Sequence, residues 1–295
     1  MGFSTRCYSH AAKIAYRKRM RFAVKQRKED ESMKFLILFL IAMLISSVGF
    51  KRFVWFISIG YGFSIAGAGL AIIAMFYKDL NIVSLIMCLL FMVYGCRLGG
   101  YLLIREKRSS SYQATMKNDI KDGSDMNFFL KIVVWVSCAL LYCCEVSPVF
   151  FRLENQAGAD PLTIIGCIVM AAGISLEAFA DYTKNQYKKE HPKRFCDVGV
   201  FRLVRCPNYL GEVLTWTGVF LSGVTALQSV AQWILALDGW ICIVYIMFGG
   251  ARRLEIRQNK NYGEDPEYQN YVKNTPILLP FIPLYSVEKY KWLVG

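Results

Sequence analysis

Long runs of apolar residues constrain this chain more than any other feature of its sequence. About 20 apolar residues in an α-helix are enough to cross roughly 30 Å of hydrocarbon. With 55% hydrophobic residues over 295 positions, the chain is too apolar for an ordinary soluble enzyme of this size. We therefore expect an all-α, polytopic membrane protein of about seven transmembrane helices with a cytoplasmic C-terminal cap. The predicted spans are Phe35 to Phe50, Phe53 to Tyr77, Ile82 to Ile104, Phe128 to Val149, Pro161 to Ala180, Tyr209 to Leu227 and Val230 to Gly250.

The basic residues indicate an orientation in the membrane. The net charge of +13 would favour nucleic acid as the partner of a soluble protein, but here Lys and Arg lie between the apolar runs. They gather after the first, third, fifth and seventh runs, whereas the alternate loops hold only Lys78 and Arg152. The positive-inside rule makes the basic loops and the C-terminus cytoplasmic. We expect membrane lipids as partners and no nucleic acid.

Residues 1–34 conflict with this orientation. They carry ten Lys and Arg residues, yet the rule places them outside. Either the first run does not cross fully, or translation begins at Met33, directly before an apolar run. We favour the second explanation, under which 1–32 is a basic extension outside the native protein and 33–295 is a single membrane domain. A chain beginning at Met33 is then expected to insert and to bind cofactor normally.

The cysteines and glycines have structural explanations. Most of the ten cysteines lie inside apolar runs, no CxxC pair occurs, and only His10 and His191 are available, so we expect no metal site. The glycines of the second and third runs resemble a nucleotide loop but follow no strand, and they favour close helix packing instead. These glycines are Gly60, Gly62, Gly67, Gly69, Gly95 and Gly99.

An ionisable residue interrupts the third run. Tyr94, Arg97, Tyr101 and Arg105 follow one another at spacings of three, four and four, which places them on one helical stripe. Arg97 near a helix end can simply extend to the cytoplasmic surface. A tyrosine and an arginine that face one cavity can instead donate hydrogen bonds to a carbonyl oxygen or a phosphate.

A second stripe closes the fifth run. Glu177, Asp181, Lys184 and Lys188 lie at spacings of four, three and four. Such a stripe is also typical of a solvated face of ion pairs.

The segment 205–212 reads Arg205-Cys-Pro-Asn208-Tyr209-Leu-Gly-Glu212. Its proline suits the first turn of a helix, and its acid enters an apolar run. Because a helix N-terminus with basic neighbours binds anions, this segment can hold a cofactor phosphate.

The polar tail after the last run contains Glu255, Arg257 and Tyr262, then a proline-bounded apolar strip from Thr275 to Pro280. Tyrosines and this strip indicate a tail folded back onto the membrane face, although loose anchoring by interfacial aromatic residues gives a similar pattern.

In these motifs the chain resembles the steroid 5α-reductase-like membrane reductases, and within them the bacterial branch of the domain of unknown function 1295. The resemblance covers about residues 53–285 and is most specific over 180–280. It implies a seven-helix fold that binds NADPH from the cytoplasmic side and transfers hydride to the carbon–carbon double bond of a steroid or other lipophilic enone.

The resemblance also assigns roles to residues. Tyr94 and Arg97 match the positions beside the substrate ketone, where Tyr94 would donate to the enone oxygen. The positions that match cofactor binding are Asp181, Lys184, Lys188, Arg205, Asn208, Tyr209, Glu212, Glu255, Arg257 and Tyr262. Steroid reductases place an acid in the second span beside the ketone, but Phe53 to Tyr77 contains no Asp or Glu. The identity of the substrate therefore stays open.

Two other functions fit parts of the sequence. The isoprenylcysteine methyltransferases, which use S-adenosylmethionine, share the Arg-x-Pro-x-Tyr-x-Gly segment and the tyrosine-rich tail. The stripe of Asp181, Lys184 and Lys188 and the intramembrane pair of Tyr94 and Arg97 favour the reductase. A non-enzymatic sterol-binding or scaffold protein is the third possibility, and it would bind no nucleotide.

Overall fold

A computed structural model describes residues 26, 29–108 and 126–294, and within these ranges the chain forms helices and no strand. The proposed extension 1–32 lies almost wholly outside the described residues, so the prediction of a start at Met33 stays a prediction.

Eight α-helices are described. The first, α1, runs over residues 29–46 and continues as a 3-10 turn, Ser47–Phe50. A second 3-10 turn, Phe53–Phe56, leads into the next helix, and a third, Gly199–Arg202, precedes α6. The remaining helices are α2 (Ile59–Met75), α3 (Ile82–Arg108), α4 (Phe128–Glu154), α5 (Pro161–Glu190), α6 (Pro207–Gly223), α7 (Val230–Tyr262) and α8 (Pro266–Asn274).

Six helical segments among the described residues are long and apolar enough to cross a membrane, and they agree with six of the predicted spans. The exception is α6, which has 17 residues where the sequence predicts a span from Tyr209 to Leu227. It packs along α5 over most of its length. The chain is thus an all-helical protein consistent with integration in a membrane, and the number seven stays a prediction.

Three helices extend beyond their apolar runs. The sequence predicts that the spans end at Ile104, Ala180 and Gly250, but α3, α5 and α7 continue to Arg108, Glu190 and Tyr262. The added turns are rich in Arg, Lys, Glu and Gln, which are good helix formers in water. We call these polar C-terminal extensions of α3, α5 and α7 the stalks. Their polar side chains are therefore carried by helices rather than by loops.

Hydrogen bonds and ion pairs define one end of the bundle. Lys34 at the start of α1 lies 2.7 Å from Glu154 at the end of α4, and Gln232 near the start of α7 donates to Glu31 at 3.0 Å. Arg152, which is buried, pairs with Asp160 at the start of α5 at 3.0 Å. The stalks of α3, α5 and α7 stand at the other end.

Glycines let neighbouring helices approach within backbone contact. A Cβ added to Gly62 of α2 would lie 2.7 Å from the Gly99 nitrogen of α3. One added to Gly173 of α5 would lie 2.5 Å from the Thr215 nitrogen of α6. The glycines of the second and third runs thus serve helix packing, as the sequence predicts.

The C-terminal tail folds back onto the bundle at the stalk end. Buried side chains of the tail, Ile277, Leu278 and Val287, form a small apolar core with residues of α6 and α7. The Arg205 and Cys206 amides donate to the carbonyls of Pro276 and Ile277, at 2.9 and 3.0 Å. The segment before α6 is therefore held by the tail.

Candidate functional site

A buried cluster of hydroxyl groups surrounds one carboxyl group inside the bundle. Tyr94 of α3 and Tyr61 of α2 both donate to Oε1 of Glu212 on α6, the second at 2.8 Å, and the indole of Trp216 donates to it at 3.1 Å. The two tyrosine hydroxyls lie 3.0 Å apart. Tyr94 is fully buried and Glu212 is 4% exposed. We call these four residues the deep cluster.

Helix packing creates the deep cluster. The close approach of α2 to α3 through Gly62 sets Tyr61 against Tyr94. Glu212 and Trp216, four residues apart, lie on one face of α6. Three donors on a single oxygen suit an ionised carboxylate, which only accepts hydrogen bonds.

Aromatic rings enclose the deep cluster. Phe91 stacks on Trp216, with ring centroids 6.0 Å apart, and Tyr142 packs on Tyr61 at 5.1 Å. The surroundings exclude water, and in such a site a hydroxyl donor interacts strongly with a ligand oxygen.

Arg97 lies one turn beyond Tyr94 and pairs with two carboxylates of α5. Its guanidinium lies 2.5 Å from Glu177 and 3.3 Å from Asp181. Gly211, next to Glu212, contacts the Glu177 backbone closely. The ion pair therefore borders the deep cluster, and pairing offsets the cost of an arginine at this depth.

A group of basic side chains follows at the stalk end. Arg257 and Arg105 lie within electrostatic range of Lys184, and Arg253 joins them around the ring of Tyr209. No described residue forms a hydrogen bond or ion pair with Lys184 or Arg257. These side chains surround the N-terminus of α6 and form the basic group.

Asn208 and Tyr209 lie at the start of α6 beside the basic group. The amide of Asn208 makes no side-chain hydrogen bond within the described ranges, and a Cβ on Gly250 would lie 3.3 Å from the Tyr209 ring. The side-chain amide of Asn208 and the cations of the basic group therefore lie close together, as an anion site requires.

Arg205 and Glu255, in contrast, pair with each other and with the backbone of the tail. Arg205 is 1% exposed and donates to Glu255 at 2.9 Å and to the Tyr285 carbonyl. The other oxygen of Glu255 accepts from the amides of Val287 and Glu288, at 2.8 and 2.9 Å. In this arrangement the pair anchors the tail.

Lys188 and Tyr262 also bond to the protein itself. The Lys188 ammonium donates to the Tyr262 hydroxyl at 3.1 Å and to the Arg194 carbonyl. Phe195 packs against Tyr262, with centroids 5.9 Å apart. The hydrogen bond from Lys188 to Tyr262 joins the end of α5 to the end of α7.

No group of His, Cys, Asp or Glu that could hold a metal ion occurs among the described residues. Burial raises the pKa of the Cys206 thiol to about 12, so this cysteine at the start of α6 stays a neutral thiol.

The structure thus divides the predicted site residues into groups. Tyr94 and Glu212 meet in the deep cluster, whereas the sequence grouped Glu212 with the cofactor. Arg97 and Asp181 form the bordering ion pair, and Lys184, Asn208, Tyr209 and Arg257 form or flank the basic group. The sequence prediction omitted Tyr61, whose signal was weak: a single polar side chain between two glycines in an apolar run.

One family profile, that of a protein of unknown function (DUF1295), matches residues 38–275. No curated protein and no solved structure matches the chain significantly. The family match covers most of the chain and contains both the deep cluster and the basic group. The chain therefore belongs to the DUF1295 family of proteins of unknown function.

Proposed function

We propose that this protein is a membrane-bound NADPH-dependent reductase of a carbon–carbon double bond in a steroid or other lipophilic enone. One observation carries the proposal. The buried hydroxyl of Tyr94 donates to the carboxylate of Glu212 at the inner end of a row of polar side chains. This row ends at the basic group, where Lys184 and Arg257 pair with no described residue. Polar and ionisable side chains inside an apolar bundle are energetically costly, and a row of them typically marks a functional site.

The deep cluster suits an apolar ligand with one oxygen. Tyr94 can turn its hydroxyl from Glu212 to the ketone oxygen, while Tyr61 and Trp216 keep the carboxylate paired. The second span has no acid, but Glu212 from α6 stands beside Tyr94 in its place. An acid and a tyrosine therefore lie together, as the resemblance to steroid reductases requires.

The basic group suits the phosphates of NADPH. Lys184 and Arg257 pair with no described residue, and the first turn of α6 adds backbone amides to the side-chain amide of Asn208. Asp181 and Arg97 lie between this group and the deep cluster, so a nucleotide whose phosphates meet the basic group has polar contacts along its length.

When bound, NADPH supplies a hydride to the β-carbon of the enone. Tyr94 donates a hydrogen bond to the carbonyl oxygen, where negative charge develops, and so stabilises the enolate. Glu212 orients that hydroxyl, and Trp216 with Phe91 keeps water away from the reacting atoms. We further propose seven spans with the stalk end, and thus the C-terminus, in the cytoplasm, where NADPH is available.

Titration of detergent-purified protein with NADPH and, separately, with S-adenosylmethionine tests this function. We expect saturable binding of NADPH alone, weakened about tenfold by Lys184→Ala or Arg257→Ala, because a lost charge-assisted bond costs about 1.5 to 3 kcal/mol. Lys78→Ala, which removes an exposed lysine between α2 and α3, is the matched control and should bind normally.

Other results would replace the proposal. Binding of S-adenosylmethionine without NADPH would identify a methyltransferase of the isoprenylcysteine type. Binding of neither nucleotide, with retention of sterol, would favour a non-enzymatic protein.

A further inference from the structure

Glu145, in the middle of α4, is a buried acid that the sequence analysis assigned no role. It is 3% exposed, and neither of its carboxyl oxygens has a hydrogen-bond partner among the described residues. The close contact of Gly239 on α7 with the Cys144 and Glu145 backbone packs this part of α4 tightly. Burial of an acid in apolar surroundings weakens a fold unless another group compensates it.

The neighbours of Glu145 point to the deep cluster. Tyr61 lies within interaction range of Glu145 and also donates to Glu212 at 2.8 Å. The phenolic oxygen of Tyr61 has lone pairs left to accept a further hydrogen bond. Glu145 thus lies beside the deep cluster, and Tyr61 is a neighbour of both acids.

No cation among the described residues pairs with Glu145. Its other close neighbours are Tyr142 and Cys143, which are neutral groups. Because a bare carboxylate without donors costs several kcal/mol in such surroundings, the side chain holds a proton. The two acids therefore differ: Glu212, with three donors, suits the ionised form, and Glu145, with none, suits the acid form.

We propose that Glu145 is the proton reservoir of the site and delivers its proton through Tyr61 to Tyr94 during each reduction. This inference rests on the proposed reductase. Glu145 does not touch the substrate in this scheme, since it acts through two tyrosines.

The step balances in atoms and electrons. Bound NADPH would supply a hydride to the β-carbon. The electron pair of the carbon–carbon double bond would then form a new double bond from the α-carbon to the carbonyl carbon, and the carbonyl electron pair would move to the oxygen. That oxygen takes the Tyr94 proton, Tyr94 takes the Tyr61 proton across the 3.0 Å contact, and Tyr61 takes the Glu145 proton. The enol then converts to the saturated ketone, and Glu145 takes back from bulk solvent the one proton that each reduction consumes.

A first experiment needs no cofactor. Infrared difference spectra of wild-type protein and Glu145→Gln, both free of nucleotide, should show the carbonyl stretch of a protonated carboxyl group in the wild type alone. In Tyr61→Phe this band should shift, because the phenolic oxygen beside the acid is removed. A spectrum in which Glu145→Gln removes no such band overturns the proposal.

A second experiment measures turnover with NADPH and a steroid enone. Glu145→Gln keeps the size of the side chain but cannot release a proton, and general acids typically contribute 100-fold or more, so we expect kcat to fall at least about tenfold with NADPH affinity unchanged. The solvent deuterium isotope effect should rise, and formate should restore part of the activity of Glu145→Ala. A purely structural role of Glu145 would produce neither the larger isotope effect nor the rescue by formate.

Ser147→Ala is the matched control. Ser147 lies two residues along the same helix, is fully buried and also lacks a hydrogen-bond partner among the described residues. Its loss should leave kcat and the isotope effect unchanged. If wild-type protein does not oxidise NADPH, the proposed function fails and the relay with it. If wild-type protein is active and Glu145→Gln is equally active, the relay alone fails.

Discussion

At the residue scale, the deep cluster shows how one carboxylate organises several donors. The hydroxyls of Tyr61 and Tyr94 and the indole of Trp216 all reach the same oxygen of Glu212. A donor held in place before the reaction needs little reorganisation when charge develops on a ligand. The second acid of this region, Glu145, has no such donors among the described residues, and the difference between the two acids is the basis of the proton relay.

Tyr94→Phe tests the role of the hydroxyl. We expect turnover of an enone to fall about 100-fold or more, because a donor that acts in the transition state is worth roughly 3 to 4 kcal/mol. NADPH affinity should stay within about twofold, since the ring and its packing remain.

Tyr101→Phe is the control for this variant. Tyr101 lies two turns along α3, and among the described residues its hydroxyl bonds only to the exposed Asn185 side chain. The Tyr101→Phe variant should reduce substrate at the wild-type rate. A wild-type rate in Tyr94→Phe, or loss of NADPH binding, would contradict the assignment of Tyr94 to substrate.

Arg205 has a different kind of role. The sequence assigned it to the cofactor, but its guanidinium is fully buried and pairs with Glu255. We expect Arg205→Ala to lower the stability of the cap by about 3 to 5 kcal/mol, because it leaves the Glu255 carboxylate buried and unpaired.

Thermal unfolding in detergent and limited proteolysis of the tail measure this effect. Arg257→Ala removes an exposed arginine of α7 two residues beyond Glu255 and should leave the unfolding temperature unchanged while weakening NADPH binding. If Arg205→Ala unfolds at the wild-type temperature, the pair does not anchor the tail.

At the element scale, glycine-mediated contacts determine how closely the helices approach. The α2–α3 contact brings Tyr61 to Tyr94, and the α5–α6 contact brings Glu177 to Glu212. Because lipid tails are as apolar as the helix side chains, the hydrophobic effect does not drive helices together inside the bilayer. Close backbone contacts therefore supply much of the packing energy. The geometry of the deep cluster therefore depends on residues that carry no side chain.

Gly62→Ala tests this dependence. Its Cβ would meet the backbone of α3 at 2.7 Å, a distance that forces the helices apart. We expect a lower unfolding temperature and a loss of turnover, because Tyr61 moves away from Tyr94.

Gly100→Ala is the matched control, since nothing lies within 4 Å of the added Cβ. It should raise stability by about 0.5 to 1 kcal/mol through helix propensity. Equal behaviour of the two variants would show that the close approach is unimportant.

At the scale of the whole molecule, the bundle has two chemically different ends. One end carries the ion pairs of Lys34 and Arg152, and the other carries the basic group, the tail and the stalks of α3, α5 and α7. Since α7 alone has 33 residues and rises about 1.5 Å per residue, these ends lie some 50 Å apart. A cofactor from one side and a lipid substrate from the bilayer can thus approach the deep cluster by separate routes.

Cysteine labelling of intact cells tests the orientation of these ends. An impermeant maleimide should label Gln228→Cys, before α7, and should not label Gln269→Cys on α8, because the stalk end is proposed to be cytoplasmic. Both positions are exposed, and the unsubstituted chain gives the background from native cysteines. Labelling of the second position alone would reverse the orientation.

The sequence by itself determined the helical membrane class and the positions of six of the spans. Partition into lipid depends on local composition. An apolar run of sufficient length therefore partitions into the bilayer whatever the rest of the chain does. The sequence also located the polar stripes of α3 and α5, because their spacing follows from helix geometry alone.

Only the tertiary structure decided which polar groups meet. Tyr61 and Glu212 are 151 residues apart, and Arg205 and Glu255 are 50 apart. No periodicity connects such positions, since helix packing through glycine contacts and the fold of the tail bring them together. For that reason Tyr61 and Glu145 join the proposed site and Arg205 joins the tail anchor, although the residue types alone suggested otherwise.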